Sequence, residues 1–128
     1  MKSESEIVFK DPAITSAVQQ LRTVISDITG LTKKLIGMVR ENDLDLLTSV
    51  FDERRNLLNR AEDIRSRIAA SVMNHTNAHE IQQAVLPIIL RLYEADAQLI
   101  STISTRKDEL RHQLSRMQLR QKVALYSR

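Results

Sequence analysis

The sequence predicts an all-α fold, an elongated antiparallel up-down-up three-helix bundle with a long C-terminal helix. Apolar residues recur three or four positions apart along most of the chain, the spacing of helix faces rather than strands. Two glycines and two prolines in 128 residues leave little punctuation for a sheet. The only aromatics are Phe9, Phe51, Tyr93 and Tyr126, and strands favour aromatic residues. A chain of this length suits one continuous core. Cysteine is absent, so disulfides and thiolate chemistry have no residues to use.

Each element has its own signals. Residues 1–11 read as a flexible N-terminal segment; its short apolar run, Ile7 to Phe9, makes neither a signal peptide nor an anchor. Residues 12–128 form the single domain. Asp11-Pro12 marks a helix start, a capping acceptor before a proline at the first helical position. Ile14, Val18, Leu21, Ile25, Ile28, Thr32, Leu35 and Val39 then step in a heptad seam along helix one, about 12–40. Asn42-Asp43 supplies a turn and a cap for helix two, about 43–73, whose stripe runs from Leu44 to Val72. After the polar loop NHTNAH, helix three spans about 78–126, with a kink or division expected near Pro87. Its inward line is read as Leu86, Ile89, Leu92, Tyr93, Leu99, Ile100, Ile103, Leu110, Leu114 and Met117.

Arg54 falls inside the apolar stripe of helix two, where a guanidinium must find a partner, reach water or meet another molecule. Short loops make the helices antiparallel, so Arg54 lies level with about residue 99 of helix three, within one turn of Asp96. We therefore expect an Arg54–Asp96 pair that sets the register. Arg106 should likewise meet an acid near the start of helix two, such as Asp45. The same alignment leaves residues 110–126 beyond the end of helix two, roughly 25 Å of uncovered helix. Leu110, Leu114, Met117 and Leu125 lie on that overhang with Arg116 and Arg120, and form the candidate partner-binding set.

Charge separates the same regions. Residues 106–128 hold seven Lys or Arg against two acids, net +5, whereas the first 105 carry net −2. An acidic partner is expected at the basic end. The basic residues spread around the helix and Tyr126 alone offers stacking, so nucleic-acid binding has little support. His75, His79 and Glu80 have metal-like spacing but are read as loop residues without a second ligand cluster. The sequon Asn74-His75-Thr76 is read as chance. No Gly-rich phosphate loop or nucleophile–base set is present, which argues against an enzyme or a cofactor. No segment approaches the roughly 20 apolar residues of a membrane helix, so a cytoplasmic protein is the expectation.

Ser16, Thr23, Gly30 and Gly37 lie seven apart on helix one. Such a line is either tolerated on a solvent face or forms a groove for a close neighbouring helix.

Three stretches resemble the FliT-like flagellar export chaperones. DLLTSVFDERRNLL is similar to the opening of that family's second helix, LYEADAQLISTISTRKDELRHQL to its third, and QKVALY to its closing stretch. The matching positions are Arg54, Asp96, Arg106 and Tyr126. The resemblance implies a small cytoplasmic chaperone that binds the C-terminal part of the filament-cap protein, prevents early assembly, and delivers it to the type III export gate. Some members of that family also bind the export ATPase and a flagellar transcription activator complex, and the resemblance extends these partners to this chain as expectations. Residues 103–126 contain no glycine or proline to break the helix, so a separate covering helix like that of some members is not expected within them. Two other readings remain: a chaperone of the hook–filament junction proteins, and a homo-oligomeric coiled-coil module.

Overall fold

The computed structural model describes residues 11–73 and 78–126. The described residues form three helices: α1 (Pro12–Glu41), α2 (Leu47–Val72) and α3 (Ala78–Tyr126). Helix α1 is the central element and packs against both α2 and α3. The structure is an all-α three-helix bundle.

The start of α1 follows from its first residues. Asp11 has an extended backbone, and its carboxylate accepts from the Ala13 amide at 2.9 Å, with Pro12 beginning the helix. Asp11 is thus fixed, and the segment expected to be flexible lies, apart from it, outside the described residues. All eight residues of the α1 heptad seam are buried. Val24, Ile36 and Met38 are buried beside them, because α1 serves two neighbours and one seam cannot cover both.

The turn after α1 differs from the expectation. Asn42 adopts the left-handed conformation (φ 60°, ψ 28°), its amide reaches the Met38 and Val39 carbonyls, and the Asp43 amide donates to Met38 O at 2.9 Å. That pattern closes the C-terminus of α1 rather than opening α2. Helix α2 therefore begins at Leu47, four residues later than expected, with Leu46 at its cap position making no side-chain bond. Leu44 lies outside the helix and exposed instead of on its stripe.

Helix α3 is continuous across Pro87, so the expected division does not occur. Its buried line is Ile81, Ala84, Ile88, Ala95 and Leu99, whereas Leu86, Tyr93, Ile100 and Ile103, expected inward, are exposed. Large side chains on α1 fill the interface, so α3 approaches through a line that includes alanines. Of the expected line, Leu99 is buried and Ile89 and Leu92 pack against the core in part, as expected.

The core divides into two clusters. One joins Leu21, Ile28, Ile64, Ile81 and Ile88 near the α2–α3 end; the other joins Leu35, Ile36, Val50 and Leu99 near the α1–α2 turn. Between them lies a polar layer.

Candidate functional site

That layer is built by one residue from each helix. Thr32, fully buried on α1, donates its hydroxyl to Ile28 O at 2.7 Å, the usual way a helical threonine satisfies its proton. Its oxygen accepts from Arg54 Nε at 2.9 Å, and Arg54 Nη2 donates to Asp96 Oδ1. The Arg54 side chain is only 11% exposed, so its charge is held by a bonded carboxylate rather than by water. Asp96 is 35% exposed, which lowers the cost of the pair. A slip of one helix by a turn would part the Arg54 guanidinium from Thr32 and Asp96 and leave it buried without its carboxylate. Thr32 stood in the seam without a role at the level of sequence, and the layer explains its place.

Arg106 corrects an expectation. Its Nη1 donates to Glu109 Oε2 at 3.0 Å, one turn along the same helix, and no bond to Asp45 forms. Its Nε is buried with no hydrogen-bond partner. The late start of α2 explains this: Asp45 sits in the connection rather than on the helix.

Beyond Arg106, every residue of 107–126 is exposed. This is 20 residues of a continuous helix, about 30 Å. Leu110, Leu114 and Met117 are 47%, 55% and 56% exposed, and Leu125 and Tyr126 are more so. Arg116 and Arg120 are exposed there too. Residues 110–126 hold four Lys or Arg and no acid, so the field around this apolar line is positive.

The line continues into the bundle along an open groove between α2 and α3 that the Arg54–Asp96 pair divides in two. At one end it is lined by Leu47, Phe51, Ile103, Leu110 and Leu114, with Leu44 from the turn. At the other end Val72 and Met73 face Leu86, Ile89 and Tyr93. Sequence reasoning turned Leu86, Ile89, Tyr93 and Ile103 of this groove inward and left Leu110 and Leu114 on the uncovered overhang. Their heptad spacing was a sound signal of contact, but it does not say with what.

The remaining candidates are simpler. His79 and Glu80 lie in the first turn of α3, exposed, rather than in a loop; the sequon and His75 fall outside the described residues. Among the described residues, no three His, Asp or Glu side chains group to hold a metal ion. Among the described residues no helix is long and apolar enough to cross a membrane. A Cβ added at Gly30 or Gly37 meets nothing within 4 Å, so no neighbouring helix of this chain uses the small-residue line.

Fold and site together define a three-helix bundle with an uncovered, basic, amphipathic extension. No family model, no curated protein and no solved structure matches this chain.

Proposed function

We propose that this protein is a helix-binding export chaperone of the FliT-like kind, whose client is the C-terminal helical part of a flagellar filament-cap protein. The observation that carries the reading is the apolar line of α3, open in the α2–α3 groove and continued by Leu110, Leu114 and Met117 on the overhang. An amphipathic helix laid along such a groove buries its own apolar face and that of the host together. Lys107 and Arg111 beside the line favour a client helix with acidic flanks, because charges at the rim of a helix pair choose partner and orientation. The resemblance of the Arg54, Asp96 and Tyr126 stretches supports the flagellar client. A chaperone holds its client and releases it at the export gate or its ATPase, in the cytoplasm, and needs no catalytic set.

The test is calorimetric titration with a synthetic peptide of the filament-cap C-terminal segment, alongside one from a hook–filament junction protein. A 1:1 complex with the first is the expected result. Leu114→Asp with Met117→Asp should weaken it by at least roughly tenfold while leaving the melting temperature unchanged, since both side chains are exposed. Capture at unaltered affinity would remove the overhang as the site. Preference for the junction peptide would reassign the client.

A further inference from the structure

The buried residues Ala95 and Leu99 of α3 have an open groove on either flank. One is the α2–α3 groove described above. The other runs between α1 and α3, where no residue of α2 lines it. Gly37 of α1 faces Ala97 and Ser101 of α3 across it, and Lys33 and Arg40 stand along its α1 edge. Thr105 and Arg106 continue it towards the overhang.

Its chemistry is the reverse of that of the α2–α3 groove. The walls are small and hydroxylic rather than apolar, and the charges are nearly of one sign. Lys33, Arg40 and Arg106 line it against Glu109 alone, and Glu109 is already bonded to Arg106. Lys33 and Arg40 are exposed, and among the described residues neither meets an acid. A guanidinium has five N–H donors; that of Arg106 makes one bond, and its Nε is buried without a partner. Buried N–H groups are nearly always satisfied, so an orphan at the end of a cationic groove calls for an acceptor that arrives from outside.

Gly37 constrains what arrives. Glycine inside a helix costs stability relative to alanine, and a Cβ at this position would meet nothing, so the packing of this chain alone has no use for it. A second backbone lying close against α1 would use it. The groove between two packed helices is where a further helix seats, and one placed here would complete a four-helix bundle. Lys33 and Arg40 are seven residues apart, about 10.5 Å along α1, so acids seven apart on one face of the incoming helix meet both cations together. No aromatic residue lines the groove, which leaves the bases of a nucleic-acid strand nothing to stack on.

We infer that the α1–α3 groove is a second docking site, for a helix of another protein whose contact face carries small residues and acids spaced seven apart. It lies on the opposite flank of the buried line of α3 from the groove assigned to the client, so the two can be filled at once. The inference does not depend on the client reading.

The probe is an alanine-based helical peptide of about 20 residues with glutamates seven apart on one face, compared with a peptide of the same composition whose glutamates are spread around the helix. Fluorescence anisotropy at low salt should give the one-faced peptide at least roughly tenfold the affinity of the other. Gly37→Leu, whose side chain enters open space, should abolish the difference without lowering the melting temperature. Lys33→Glu should weaken binding roughly tenfold, whereas Lys34→Glu, the same charge change outside the groove, should have little effect. The chain has only two glycines, so their amide resonances are easily resolved, and the one-faced peptide should shift that of Gly37. Equal affinities for the two peptides, binding retained by Gly37→Leu, or equal losses at Lys33 and Lys34 would overturn the inference. Displacement of the peptide by oligothymidylate would overturn it too, and would assign the groove to nucleic acid. Adding the filament-cap peptide separates this site from the client site. Simultaneous binding of both peptides supports both readings, a filament-cap peptide that does not bind removes the chaperone reading alone, and displacement of the acidic helix by the filament-cap peptide removes the second site alone.

Discussion

The two parts of α3, 78–106 and 107–126, share one helix and one heptad pattern, yet their surroundings have nothing in common. The first turns Ile81, Ala84, Ile88, Ala95 and Leu99 onto α1 and keeps a second apolar line open. The second buries nothing. A helix of that length gains little stability alone, because most helical stability in proteins comes from packing an apolar face. The overhang is held helical by continuity with a packed body, and its apolar residues are available to whatever covers them. Periodicity thus reports that a face is meant for contact. It is silent on whether the contact lies inside the chain.

The sharpest way to separate the two parts is to delete side chains from each. Ile28→Ala or Ile88→Ala should destabilise the protein by about 3 kcal/mol, as cavities in a closed core do. Leu119→Ala, at an exposed position of the overhang, should change it by no more than about 0.5 kcal/mol. Chemical denaturation followed by circular dichroism measures both, and equal losses would show that the overhang is packed.

A smaller effect is expected where the body is polar. Asp96→Ala leaves the Arg54 guanidinium without its carboxylate, at a cost of about 2–3 kcal/mol after allowing for the exposure of Asp96. Replacing both members, Arg54→Met with Asp96→Leu, should return stability to within about 1 kcal/mol of the parent, since a buried pair contributes little net stability over apolar residues. The double variant is also the test of register. If its structure shows α2 displaced by a turn against α3, the layer acts as a specificity device; if the helices stay in place, the apolar contacts suffice.

The smallest change belongs to α1. Gly30→Ala fills open space and removes backbone freedom from the unfolded chain, so it should stabilise by roughly 0.5–1 kcal/mol, seen as a higher melting temperature. A loss instead would mean that a neighbouring helix uses that line in the assembled protein.

Much of this fold was legible because its signals are local. Asp11-Pro12 starts α1 as written, the α1 seam is buried residue for residue, and Arg54 finds Asp96 where two short loops place it. What misled was that α3 carries two apolar lines. Leu86, Tyr93 and Ile100 suggested the inward face, whereas Ile81, Ala84, Ile88 and Ala95 take it. Asn42 was read as opening a helix and instead closes one, since the same side chain serves either end and the left-handed backbone decides.

By itself the sequence determined that the chain is helical, where its polar layer lies, and that the C-terminal end is basic and outlasts its neighbours. Those properties follow from spacing, loop length and charge, all of which are counted along the chain. Only the tertiary structure decided which of two apolar lines on α3 meets α1 and which stays open. That choice depends on how large residues on one helix and small ones on the next fill a shared space, and no single helix carries that information.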